Sequence, residues 1–194
     1  MYDPLISYFN RYATTPLSES DIDLITSVFA PKKFRKKQYF LQEGEISKYG
    51  AFIVKGAMRQ YLVDDQGEEH IVQLMIENWW ASDRESNIKG TPSKYFIDAW
   101  EETETLLTTM DNINKLIEEI PALCQWTKKL DENHFVATQN RLSAAISLSS
   151  EERYYELEKT HPQFLQRFPQ HIIASYIGIN RETLSRIRSR ATKK

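Results

Sequence analysis

Cysteine is nearly missing from this chain of 194 residues. Cys124 stands alone, so an intramolecular disulfide and any all-cysteine iron–sulfur or zinc site are excluded. Glycine is sparse too: its six copies never fall as GxGxxG or GxxxxGK[ST], which removes the dinucleotide fingerprint and the phosphate loop, and no nucleophile elbow occurs. Of four histidines only His70 lies in the stretch that reads as strands, whereas a catalytic metal on a β-roll wants two or three histidines and a carboxylate from neighbouring strands. His134, His161 and His171 fall in the helical half and share no ligand spacing. No catalytic residues, no metal and no cofactor are expected. Long apolar runs are also lacking: no segment approaches the roughly 20 residues a membrane helix needs, and the start MYDPLISYFNRY lacks the basic-then-apolar order of a signal peptide. A cytoplasmic protein without membrane contact is expected. With 41% hydrophobic and 27% charged residues, the composition is that of an ordinary globular chain, long enough for one large or two small domains.

What is present is concentrated in the stretch QHIIASYIGINRETLSRIRS, residues 170–189. Ile172, Ile173, Tyr176 and Ile177 form an apolar stripe on a first helix from Gln170 to Ile177. Gly178 can take the left-handed conformation that closes it, and Asn180 can cap a second helix from Arg181 to about Arg190. Leu184 and Ile187 point back at the first helix, and Ala174 must be small where the two cross. The spacing predicts a helix-turn-helix. Arg181, Glu182, Ser185, Arg186, Ser189 and Arg190 then point outward as a base-reading face: arginine forks match a guanine edge, glutamate accepts from cytosine, and hydroxyls suit bases or phosphates. The alternative is a helical hairpin with a solvated basic face.

Charge is segregated in the same direction. From Pro162 to Lys194 five arginines and two lysines face the single acid Glu182, a formal +6, so that with −2 for the whole chain residues 1–161 carry −8. That is the footprint of a polyanion site at one end of an acidic chain.

Upstream, residues 1–30 read as helical, starting at Ser18 or Ser20 for Ile22, Leu24, Ile25, Val28 and Phe29, with Pro31 stopping the pattern. From Lys37 the period changes to the strand-like runs QYFLQ, GAFIVKG, MRQYLVD and HIVQLMI, parted by turns, with further strands at Tyr95–Trp100 and Glu104–Met110. Strands so spaced suggest a sandwich, barrel or jelly roll. Asp111 or Asn112 is expected to cap a helix bearing Ile113, Leu116, Ile117 and Ile120. The longest helix is expected from Pro121 to about Leu148, with Leu123, Trp126, Leu130, Ala137 and Ala144 on one stripe and Phe135, Leu142 and Ile146 on another. Two stripes imply two partners, its own domain and a second copy of the chain; the alternative is a helix lying wholly against its own β-domain. Ser149 or Ser150 caps a short helix to Thr160, and His161–Pro162 leads into a loop.

The order of parts, with Asn180-Arg181-Glu182-Thr183 and Arg186 at its end, resembles the Crp/Fnr family of bacterial transcription regulators. The resemblance implies an α+β chain: an N-terminal antiparallel β-roll (jelly-roll-like) sensor domain over 1–120, a long dimerisation helix over 121–148, and a C-terminal helix-turn-helix domain over 149–194. It implies a homodimer on palindromic double-stranded DNA, contacting RNA polymerase where it activates. Arg181, Glu182 and Arg186 would meet base edges and Asn180 and Thr183 phosphate, with Gln170, Ser185, Arg188 and Arg190 completing the interface. Two departures stand out. The family's two-stranded wing is expected to be absent or vestigial, with Ala191-Thr192-Lys193-Lys194 in its place. Where the family's cyclic-nucleotide cassette has Gly-Glu and then Arg-Ser or Arg-Thr, this chain has Ser82-Asp83 and Ser93-Lys94.

A cyclic phosphate needs a bidentate cation and close donors, so cyclic nucleotides are not expected to bind. Trp79, Trp80, Ser82, Asp83, Arg84, Ser93 and Lys94 instead form the candidate pocket for an unknown small effector, apolar or aromatic given the nearby Tyr95, Phe96 and Trp100. The alternative for these aromatics is core packing alone. The rival function is a ligand-sensing β-roll whose helical tail binds protein rather than DNA.

Overall fold

The computed structural model describes residues 1–191. Helix α1 (Asp3–Tyr12) opens with Pro4 in its first turn and buries Leu5, Tyr8 and Phe9 at helical spacing. Helix α2 (Glu19–Ser27) is closed at its start by a reciprocal capping box between Ser18 and Asp21. Pro31 lies inside a strand that the sequence did not suggest, β1 (Ala30–Phe34), which pairs antiparallel with β8 (Thr103–Thr108) and forms a sheet edge, where a residue without an N–H is tolerated.

The roll continues with β2 (Tyr39–Leu41), β3 (Gly50–Lys55), β4 (Met58–Val63), β5 (Glu69–Met75), β6 (Trp80–Ala81) and β7 (Phe96–Ala99), with a one-and-a-half-turn helix α3 (Arg84–Lys89) between β6 and β7. Two four-stranded sheets result, in the orders β1-β8-β3-β6 and β2-β7-β4-β5. Strand β3 is buried on both sides. Ala51 and Ile53 face the roll interior with Leu41, Met58, Ala81, Ile97 and Ala99, whereas Phe52 joins Leu106 under the helices with Leu5, Phe9, Ile25, Ile113 and Trp126. That explains its unbroken apolar run, and each such large side chain contributes about 1.5–3 kcal/mol on burial. The β3–β4 turn depends on Gly56, whose φ is +106° and where a Cβ would come within 2.7 Å of the Glu102 and Thr103 backbone.

Thr109, rather than Asp111 or Asn112, caps α4 (Met110–Glu119), accepting from the Asn112 N–H at 3.2 Å. The expected start of the long helix at Pro121 is corrected as well. Pro121–Leu123 is a separate 3₁₀ turn that tucks Ala122 and Leu123 into the core, and α5 (Trp126–Ser147) begins only where Trp126 meets Phe9 at 4.8 Å. Ser149 and Glu152 form the capping box of α6 (Ser150–Thr160). The loop expected after His161 is instead helix α7 (Pro162–Arg167): Pro162 suits a first helical turn, and burying Phe164 completely holds the short helix in place. Helices α8 (Gln170–Ile177) and α9 (Arg181–Ala191) complete the described chain. Contacts divide it into two compact units, Met1–Leu62 with Met75–Asp131, and Val63–Leu74 with the residues from Glu132 onward.

Candidate nucleic-acid interface

The turn between α8 and α9 is built from local chemistry. Gly178 sits in the left-handed region at φ +68° and donates its N–H to the Ala174 and Ser175 carbonyls. The Ile179 N–H reaches the Ala174 carbonyl at 2.9 Å, and Asn180 Oδ1 accepts from the Thr183 N–H at 2.8 Å, capping α9. Ala174, Ile172, Ile173, Leu184 and Ile187 are all buried, so the two helices close on a small apolar seam. A residue that sequence reasoning missed locks this turn from α6: Arg153 Nη1 donates to the Ile177 carbonyl at 2.8 Å and the Gly178 carbonyl at 3.3 Å. The pairing spans 24 residues, and nothing in the spacing of α6 announces it.

With the seam closed, Arg181, Glu182, Ser185, Arg186, Ser189 and Arg190 lie exposed along α9. From Arg181 to Ser189 the face runs about 12 Å at 1.5 Å per residue, against a major groove about 12 Å wide. Thr183 and Gln170 are half-buried at the two helix starts. Arg188 is exposed on the flank beside Tyr154 of α6: burial pushes the Tyr154 phenol up, Glu158 adds to that, and the Arg188 charge opposes it. Lys193, and the short stretch expected in place of a wing, lie outside the described residues. A second contact missed from sequence joins α8 to the end of the β4–β5 hairpin within the same unit. Ser175 Oγ accepts from the Ile71 N–H at 2.9 Å and donates to the Glu69 carbonyl at 3.2 Å, while the Arg141 guanidinium lies over the Tyr176 ring.

The seven candidate effector residues separate. Trp79, just ahead of β6, packs on the roll interior, and Trp80 turns to the opposite side of its sheet among Tyr8, Phe29, Phe52 and Trp126. Asp83 is buried and caps α3, accepting from the Glu85 and Ser86 N–H groups. Ser93 is buried and exchanges both its hydrogen bonds with the Tyr95 backbone, and the Lys94 ammonium sits over the Tyr95 ring. Trp80, Ser82 and Arg84 alone share a cavity. Among the described residues no cluster of three or more His, Cys, Asp or Glu side chains could hold a metal, and no helix is long and apolar enough to cross a membrane.

A two-sheet antiparallel roll, a long helix and a helix-turn-helix define the class, and solved structures share the arrangement. The chain resembles FixK2 from Bradyrhizobium japonicum with a TM-score of 0.74 at 17% identity, covering 86% of this chain and 85% of that one. It resembles CLP, the c-di-GMP responsive global regulator of Xanthomonas campestris, with a TM-score of 0.70 at 11% identity over 91% and 92%. CooA from Carboxydothermus hydrogenoformans follows with a TM-score of 0.66 at 17% identity over 87% and 78%. These neighbours are Crp/Fnr family regulators, and the chain has their fold. No family model matches the sequence, and no curated protein matches it significantly.

Proposed function

We propose that this chain is a sequence-specific DNA-binding transcription regulator of the Crp/Fnr type, acting as a homodimer on a palindromic site and catalysing no reaction. The observation that carries the reading is the exposed face of α9, three arginines with one glutamate and two serines on a helix whose opposite side is buried. Arg181, Glu182 and Arg186 read base edges, Asn180 and Thr183 lie at the phosphates, and Gln170, Ser185, Arg188 and Arg190 flank them. In this reading residues 1–120 are the sensor domain, 121–148 the dimerisation segment and 149–194 the DNA-binding domain, with RNA polymerase as partner where the protein activates. The sensor does not take cyclic AMP. Asp83 and Ser93, which stand where the cassette would hold the nucleotide, already spend their hydrogen bonds on local backbone.

Selection from a random duplex library tests the reading. The expected product is a palindrome whose half-site centres lie one helical turn apart, about 34 Å. Arg186→Ala should then cost on the order of 1–3 kcal/mol and relax one base pair per half-site. A library that yields no enriched sequence counts against DNA reading and favours a protein-binding tail; equal losses on selected and random DNA would remove Arg186 from the base-reading set.

A further inference from the structure

A cavity of about 110 Å³ lies wholly within the first unit, between the outer face of the β1-β8-β3-β6 sheet, the start of α4 and the first turns of α5. Its walls are apolar on one side, with Trp80, Ile113, Trp126 and Leu130, and polar on the other, with Thr108, Arg84 and Asp131. Thr108 is 3% exposed and its Oγ1 has no hydrogen-bond partner, an arrangement that native interiors seldom leave unexplained. The buried indole N–H groups of Trp80 and Trp126 also lack a hydrogen bond of good geometry. Both lie near enough to the Tyr8 hydroxyl to offset part of the burial that raises its pKa to about 12, so the unpaired hydroxyl of Thr108 is the feature that calls most plainly for a ligand.

At the rim the Arg84 guanidinium holds the Asp131 carboxylate of α5 in a two-pronged pair, with Nη2 to Oδ2 at 2.7 Å. The Asp131 carboxylate shows what chemistry the fork accepts. Both side chains are about half exposed, at 52% and 46%, and an exposed pair of this kind contributes little net stability, so an incoming carboxylate can compete for the fork, against the repulsion of the Asp131 carboxylate it displaces toward solvent.

We propose that this cavity is an effector site for a short-chain monocarboxylate, its aliphatic body against Trp80, Trp126 and Leu130 and its carboxylate shared between Arg84 and the Thr108 hydroxyl. The size follows from the volume. An engineered apolar cavity of about 150 Å³ takes benzene, so about 110 Å³ suits a body of roughly four to six carbons. The set differs from the sequence-stretch candidates in dropping Trp79, Asp83, Ser93 and Lys94 and adding Thr108, Trp126, Leu130 and Asp131. It is independent of whether α9 binds DNA.

Isovalerate, with isoamyl alcohol as its uncharged counterpart, tests the proposal on the full chain by calorimetry and by the emission of Trp80 and Trp126. Saturable one-to-one binding of isovalerate is expected with a dissociation constant at or below about 1 mM, the range open to about seven heavy atoms, and clearly weaker binding of the alcohol. Arg84→Gln and Thr108→Val should each weaken isovalerate by about tenfold, the effect of one charge-assisted hydrogen bond. Thr108→Val should leave the melting temperature of the free protein unchanged or higher, because it removes an unsatisfied hydroxyl, and Thr108→Ser should restore binding. No saturation by about 10 mM, equal affinity for the alcohol, or parental affinity in Arg84→Gln would each overturn the assignment.

Discussion

Single residues were legible where their role is local and hidden where it is not. Gly178 and Asn180 announce a turn because left-handed backbone and an N-cap are properties of one residue and its near neighbours. Arg153 and Asp131 announce nothing, because each acts on a partner far along the chain that only folding brings near. His161 is hidden although its ring partner Phe164 is only three residues away. The sequence sets it at the entry to a loop; in the structure it precedes α7 and stacks on Phe164 at 5.0 Å with its ring half-buried, which lowers its pKa from 6.5. A lowered histidine pKa means that the folded state binds the proton less readily than the unfolded chain, so its contribution is complete above pH 6.5 and is lost as the pH falls below that value. Urea midpoints of the protein should therefore drop from about pH 7.5 to about pH 5.5, and His161→Phe, which keeps a ring on Phe164, should drop less. An identical loss in the variant would assign the pH dependence to other groups.

Elements with an apolar stripe or an unbroken apolar run were read with nearly their observed limits, as α8, α9 and strands β3 to β5 show. The failures have physical causes. Strand β1 carries Pro31-Lys32-Lys33, whose loop-like composition is overridden by pairing with β8, in a register that sets Lys33 opposite Glu104. Helix α7 is too short for periodicity to register.

Helix α5 is the element with most left unsatisfied. Its first stripe is covered only in part, with Trp126 buried, Leu130 and Ala144 half-buried and Ala137 exposed, while Phe135, Leu142 and Ile146 are 61%, 60% and 78% exposed. Those three lie within about 20° of one line at 3.6 residues per turn. A solvent-facing row of large apolar side chains fits a second copy of the same helix, related by a two-fold axis. Leu142→Asp with Ile146→Asp would bury unpaired charge in that seam and should raise the dimer dissociation constant on the order of a hundredfold or more. Light scattering at micromolar concentration should then report a monomer, and an unchanged dimer would place the interface elsewhere.

At the scale of the molecule the charge separates along the chain, with −8 on residues 1–161 and +6 on the remainder. The acidic part is a poor host for a cyclic nucleotide unless a dedicated cation and close donors neutralise the phosphate. The polar groups are committed: Ser93 binds the Tyr95 backbone, the Asp83 carboxylate accepts from the first N–H groups of α3, and Ser86 Oγ donates to the Thr91 carbonyl at 2.6 Å while accepting from the Ser47 N–H at 2.9 Å. Freeing them would break the hydrogen bonds that hold residues 83–95 together, leaving buried polar groups unpaired at roughly 1–3 kcal/mol each. Lys94, which could supply charge, is a point cation without the fork that matches a phosphate. Calorimetric titration of the full chain with cyclic AMP and with cyclic GMP should give only heats of dilution, and the affinity for the selected DNA site should not change with either nucleotide present. Micromolar binding that tightened DNA affinity would mean that residues 83–95 rearrange around the phosphate, against the hydrogen bonds that now hold them.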